Sequence, residues 1–365
     1  MAGTDRLTRS DGKSGSSTDS SQWEPRTLAK RGIPAFVAIA VLILIAWVAP
    51  GLGEVRELLP DAAPGWVAIA IAFEALSFAS YIVMFAPVFC RGLSWRRSWQ
   101  IGGSELAVGS LVPASGASGL AFGAWVLHEG GMDPDRIAHR SVAFFLIKSS
   151  VNFFAVAIIG LLMYTSLFGV DEPWTLTLLP AMMSVAVIVA VMVIPRFGPG
   201  EDPDPAASRS TRFIAASRRA LINGTEGAID IVRSGNVRVI AGAIGYWAFD
   251  NAVLWATFHA FGYTPEISIV LMGYLIGQLG GLLPIPGGVG GIDGGLIGTL
   301  IVYGAPAAVV AAAVLAYRVI LFWLPLIAGT VAFFSLRRDM PHDGELASCE
   351  VAASAAAARR ATARA

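Results

Sequence analysis

The chain has 365 residues, and its 26 Lys+Arg balance 26 Asp+Glu to a net charge of zero. Hydrophobic residues make up 55% and charged residues only 14%, against about 25% charged in a soluble domain. This excludes an ordinary cytosolic enzyme and a disordered chain, and the balanced charge leaves no basic footprint for nucleic acid. The two cysteines, Cys90 and Cys349, lie far apart and form no CxxC pair. No disulfide scaffold, zinc site or iron–sulfur site is therefore expected, and no metal or cofactor. What remains is an all-α polytopic membrane protein.

Residues 1–32 are rich in Ser, Asp, Lys and Arg and read as a disordered arm. Ile33–Val48 is the first apolar run, read as an uncleaved first span because polar sequence precedes it and many spans come after it. Further spans are predicted at about 65–88, 139–164, 174–195, 237–261 and 307–335, each near the roughly twenty residues needed to cross about 30 Å of hydrocarbon. Two other apolar stretches, 98–130 and 266–304, are broken near their middles. The breaks read LVPASGASGL (Leu111–Leu120) and LLPIPGGVGG (Leu282–Gly291). Residues 336–365 read as a disordered, Ala/Arg-rich tail.

Basic residues set the topology. The N-terminal arm carries six Lys/Arg, Arg91, Arg96 and Arg97 come after the second span, and the 196–236 loop carries Arg196, Arg209, Arg212, Arg218, Arg219 and Arg233. Arg337 and Arg338 open the tail, while 165–173 holds Asp171 and Glu172 and no base. The positive-inside rule then makes both termini and the 196–236 loop cytoplasmic, in a multi-pass protein of the plasma or inner membrane. Each broken stretch must leave from the side it entered, so each reads as a re-entrant hairpin; the second is also long enough for two full spans.

The two breaks align at an offset of 171: Leu111 meets Leu282, Pro113 meets Pro284, Gly116 meets Gly287, and Gly119 meets Gly290. The same offset lays span 65–88 on 236–259 and span 139–164 on 310–335. Within the 33–335 domain, this gives one repeat at about 65–164 and another at about 237–335, each reading span, broken hairpin, span. Three crossings separate the copies, so they are inverted. Inverted repeats with discontinuous helices mark transporters with a midplane site.

Four ionisable residues fall near span centres: Glu74, Lys148, Asp250 and Arg318. Each costs roughly 2.5–3.5 kcal/mol at a helix centre on insertion scales. Two readings stand side by side. In one, acid pairs with base within each half and the charges neutralise. In the other, Lys148 and Arg318 line a polar cavity and receive an anionic headgroup, Arg318 bidentately through its guanidinium fork. Glu105 and Asp293 lie in the hairpins as further charge partners; Asp293 also suits the N-terminal dipole of its helix.

The breaks carry candidates of their own. Pro113, Ser115, Gly116, Ser118 and Gly119 form the first, and Pro284, Pro286, Gly287, Gly288 and Gly290 the second. A half-helix that starts inside the membrane aims orphan N–H groups at a cavity and attracts anions. Ser115 and Ser118 also read as helix caps. In the 196–236 loop, Phe213–Val232 mixes apolar residues with arginines, as an interfacial helix or a soluble linker helix would.

The second break, read from Pro286 to Asp293 as P-G-G-x-G-x-x-Asp, together with Ala316-Tyr317-Arg318 and Phe322-Trp323-Leu324-Pro325, resembles a known family. It is similar to the flippase-like lysylphosphatidylglycerol synthase transmembrane regions, the membrane half of the multiple peptide resistance factor. The likeness covers most of 33–335. Family members often carry Glu where Asp293 stands, and Ser118 and Ala121 stand near places often held by an acid and an Arg. The resemblance implies translocation or binding of an anionic lipid, and no lysyl transfer, because no soluble transferase domain is expected here. As an alternative it implies an accessory role beside a lipid-modifying enzyme or glycosyltransferase. A remote alternative from the residues is an intramembrane serine protease, with Ser118 in Gly116-Ala117-Ser118-Gly119 and His259 as its base.

Overall fold

The computed structural model describes residues 57–90, 92–111, 117–165, 173–198, 208–278, 291–341 and 346. The Ile33–Val48 span lies outside them, as do Pro113, Ser115, Gly116, Pro284, Pro286, Gly287, Gly288 and Gly290 of the two breaks. The described residues form ten α-helices and two short 3₁₀ turns, with no strand. In chain order these are α1 (Pro64–Phe89), α2 (Trp95–Leu111), α3 (Ala117–Glu129), α4 (Pro134–Tyr164), α5 (Trp174–Val193), α6 (Arg209–Arg233), α7 (Val237–Ala260), α8 (Ile267–Gln278), α9 (Gly291–Val302) and α10 (Ala307–Arg338).

Five helices are long and apolar enough to cross a membrane: α1, α4, α5 with its 3₁₀ extension, α7 and α10. The chain is an all-α polytopic membrane protein. Local chemistry fixes the starts. Pro64 and Pro134 occupy first-turn positions, where a missing N–H costs nothing. Asp133 caps α4 by accepting from the Arg136 N–H at 3.0 Å, and Asn236 caps α7 through the Arg238 N–H at 3.1 Å. The outward faces stay apolar. Met182, Met183 and Val189 of α5 are more than half exposed, the pattern of a surface solvated by lipid.

The broken stretches form helix pairs, α2 with α3 and α8 with α9. At about 1.5 Å per residue, the 12-residue α8 and α9 each reach about 18 Å, well short of the hydrocarbon. Glycine lets the partners touch. A Cβ at Gly277 would lie 2.8 Å from the Leu296 Cα, and one at Gly119 would lie 3.4 Å from the Gly109 Cα. Each pair ends on a glycine in left-handed backbone, Gly131 (φ 86°) and Gly304 (φ 85°), which turns the chain into a long helix.

Helix α1 lies antiparallel against α7. The Ala63 N–H donates to the Ala260 carbonyl at 2.8 Å, and Ser77 Oγ donates to the Tyr246 carbonyl at 3.2 Å. Gly242 allows the approach, since a Cβ there would sit 2.9 Å from the Ser80 oxygen. Other contacts come in pairs: α2 lies on α10 and α8 on α4, while α1 touches α10 and α7 touches α4. Two apolar clusters fill the interior. One holds Phe85, Phe89, Phe122, Leu127 and Phe144; the other holds Leu254, Phe258, Leu300 and Val310. Tyr81 belongs to the first cluster, Tyr274 and Tyr317 to the second.

One expectation is corrected. Cys90, buried at the end of α1, is disulfide-bonded. Separation along the chain does not measure distance in space, so the lack of a CxxC pair missed it.

Candidate functional site

Seven helices bring their polar side chains to one region inside the bundle. Glu74 and Tyr81 come from α1, Glu105 from α2, Lys148 from α4, Tyr246 and Asp250 from α7, Tyr274 from α8, Asp293 from α9, and Tyr317 and Arg318 from α10. Glu74, Glu105, Asp250 and Asp293 are all buried.

Arg318 is held by Asp293. Its Nε donates to Oδ1 at 2.7 Å, and a terminal guanidinium nitrogen donates to the same oxygen. Asp293 sits in the first turn of α9, where the helix dipole also favours a negative charge. The other terminal nitrogen, Nη1, makes no hydrogen bond among the described residues, so the fork keeps donors to spare.

Asp250 is held by hydroxyls. Tyr274 donates to Oδ2, and Tyr317 lies 3.3 Å from the same oxygen. Both Arg318 and Lys148 are within electrostatic reach of Asp250. The expected ion pair between Asp250 and Arg318 is not formed, because Asp293, one helix closer in the chain, takes the guanidinium.

Lys148 makes no ion pair among the described residues. Its ammonium lies over two aromatic faces, 5.8 Å from the Tyr81 centroid and 5.5 Å from that of Tyr246. Cation–π attraction of this kind is stronger where water is excluded. Tyr81 turns its hydroxyl to Glu105 and donates to Oε2 at 2.7 Å. The expected Glu74–Lys148 pair is also absent. Glu74 Oε2 and Glu105 Oε1 are buried with no hydrogen-bond partner. Glu105 fits only because position 123 is glycine: a Cβ there would overlap its carboxyl group.

Ser118 is buried in the first turn of α3, and Gly119 packs against the backbone carbonyl of Glu105. His259 is elsewhere. Its Nδ1 lies 2.9 Å from the Trp255 carbonyl, and its ring rests on Trp66 and Trp255 at 4.6 and 4.0 Å. It makes no hydrogen bond to Ser118, so the pair the protease reading needs does not form. A groove of about 880 Å³ between α4 and α5 is lined by apolar residues such as Leu161, Met182 and Val189, and has no group to orient a headgroup.

The tyrosines are what the sequence reading missed. Four of the chain's seven, Tyr81, Tyr246, Tyr274 and Tyr317, converge here. The available signal was their depth: membrane tyrosines favour the interfaces, yet these sit mid-helix.

Residues 35–329 match the lysylphosphatidylglycerol synthase TM region. The chain belongs to that family. A UPF0104 membrane protein of Methanothermobacter thermautotrophicus is 24% identical over 322 residues, covering 81% of this chain and 91% of that protein. A second match to a UPF0104 membrane protein of the same organism is 29% identical over 117 residues, 30% of this chain and 35% of that protein. For this synthase-region family member, the match takes in the whole cluster from Glu74 to Arg318.

Proposed function

We propose that the protein binds an anionic lipid headgroup at the cluster and carries it between leaflets. The observation that bears most weight is Lys148: an intramembrane ammonium with aromatic faces around it and no ion pair among the described residues. A cation in hydrocarbon is retained where it faces a cavity or a ligand. Arg318 reaches Asp250 as Lys148 does, and is oriented by Asp293 with donors left over for phosphate oxygens. The two halves act as inverted repeats. The antiparallel α1–α7 pair and the reciprocal contacts of α2 with α10 and α8 with α4 support that reading. The short helix pairs act as re-entrant hairpins whose tips meet the headgroup.

Lipid analysis of the purified protein tests the binding step. Native mass spectrometry is expected to find anionic phospholipid retained on the wild type. A charged hydrogen bond is worth about 1.5–3 kcal/mol, so Lys148→Gln or Arg318→Gln should weaken retention by roughly tenfold or more. Equal retention of zwitterionic and anionic lipid, unchanged in both variants, would sink the proposal. Retention without movement between leaflets would instead favour an accessory role.

The same reading places α6 in the plane of the cytoplasmic membrane surface, with both termini on that side of the plasma membrane. Its first half exposes Phe213 (74%), Ile214 (66%) and Leu221 (43%), with Arg212 on the opposite side of the helix. Arg218 anchors it by donating to the carbonyls of Phe197 and Gly198, at 3.2 and 3.3 Å, just beyond the end of α5. A basic amphipathic helix beside a span end fits an anionic leaflet. In proteoliposomes containing phosphatidylglycerol, a spin label at position 213 should be shielded from aqueous nickel and open to oxygen, while one at Ala216 should show the reverse. Equal nickel accessibility at the two sites would place α6 in water.

A further inference from the structure

We propose that Glu74 and Glu105, with Lys148, form a proton-binding site in the membrane interior. The argument starts from charge. Apart from the Arg318–Asp293 pair, the cluster contains three carboxyl groups, Glu74, Glu105 and Asp250, and one ammonium, Lys148. Asp250 receives hydroxyl donors from Tyr274 and Tyr317, an arrangement that suits an ionised carboxylate. Arg318 and Lys148 both lie within electrostatic reach of it, and Lys148 also reaches Glu105. One ammonium then stands against both Glu74 and Glu105, and it can balance at most one of them.

Their surroundings do not support ionisation. Glu74 is 4% exposed and Glu105 is 2% exposed. Each keeps one buried oxygen with no hydrogen-bond partner. An ionised carboxylate has about four acceptor sites to satisfy, and burying it bare is far more costly than neutralising it. Both are therefore carboxylic acids at rest. For Glu105, Tyr81 donates to Oε2, so the proton sits on the bare Oε1. The bound proton comes from water, forms the O–H bond of the acid, and returns to water when the carboxylate is re-exposed or draws closer to Lys148.

The cation bound here is a proton and not a metal ion. Among the described residues no group of three or more His, Cys, Asp or Glu is placed to hold a metal, and Lys148 would repel one. The groups facing the site are Tyr81 from α1, Lys148 from α4, Tyr246 and Asp250 from α7, Tyr274 from α8, Tyr317 and Arg318 from α10, and, behind Arg318, Asp293 from α9. The sequence contains no phosphate-binding nucleotide loop, so proton binding supplies a means of coupling that the helices already contain. The site stands whether or not the ligand is a lipid.

Infrared spectroscopy of the purified, membrane-reconstituted protein tests this with no lipid assay. The wild type at neutral pH should show the C=O stretch of protonated carboxyl groups, downshifted in D₂O and lost as pH is raised. Glu74→Gln and Glu105→Gln should each remove one component, and Glu129→Gln, at an exposed site, should remove none. Tyr81→Phe, a smaller perturbation, should shift the Glu105 component by deleting the hydrogen bond to Oε2. Absence of the band in the wild type at neutral pH would overturn the proposal. So would a band untouched by either glutamine variant and by Tyr81→Phe.

Discussion

Arg318→Ala is expected to lower stability by about 3–5 kcal/mol, the usual loss when one partner of a buried pair is removed. The loss arises less from the missing attraction than from Asp293, which stays buried at 8% exposure after its guanidinium partner is gone. Arg318→Ala combined with Asp293→Ala removes both charges, and should recover most of that stability, because two isolated buried ions are more costly than the pair gains. Headgroup movement should not recover, since the donors to phosphate are gone. The measurement is a double-mutant cycle read twice, by thermal unfolding in detergent and by lipid movement. A purely structural pair predicts that both readouts recover together. A purely ligand-binding arginine predicts that the single variant leaves stability unchanged.

Gly329→Leu carries the second large effect. Helices α2 and α10 touch backbone to backbone at this position. A Cβ on Gly329 would press on the Gly103 carbonyl and fall 2.7 Å from the Ala107 Cβ and 3.1 Å from the Ala107 N. These are backbone or near-backbone atoms and cannot swing aside, so the helices must part. Overpacking of this kind costs about 1–3 kcal/mol and sometimes more, and a full leucine in so close a crossing belongs at the upper end. The expected result is a large fall in melting temperature and in monodisperse yield. Gly227→Ala on α6 is the control: nothing lies within 4 Å of its Cβ, and the change should stabilise by roughly 0.5–1 kcal/mol. Equal behaviour of the two variants would mean that α2 and α10 are not held in contact.

The spans were legible because a bilayer imposes a length. Predicted spans at about 65–88, 174–195 and 237–261 meet helices at Pro64–Phe89, Trp174–Val193 and Val237–Ala260. Helix α4 begins earlier than hydropathy suggests, at Pro134 instead of 139. Its polar first turns look like loop until the Asp133 cap is seen. The charged residues Glu74, Lys148, Asp250, Asp293 and Arg318 stood out because charge within an apolar run is expensive. Their partners did not. Pairing acid with base within each half joins Asp250 to Arg318, but the guanidinium meets Asp293 and Asp250 meets two tyrosines. Periodicity says which face a residue occupies, not which neighbour reaches it first. Gly123 was equally silent in the sequence, and its role emerges only from the Glu105 carboxyl lying against it.

The most direct test of the central claim is headgroup movement in proteoliposomes. Purified protein would be reconstituted with trace fluorescent phosphatidylglycerol or phosphatidylcholine, and leaflet accessibility tracked by dithionite quenching. The account predicts that the wild type makes both leaflets accessible to the anionic probe faster than in protein-free vesicles and more slowly for the zwitterionic one. It also predicts that Lys148→Gln removes the difference. Movement no faster than in empty vesicles, from folded protein and with either probe, would contradict it.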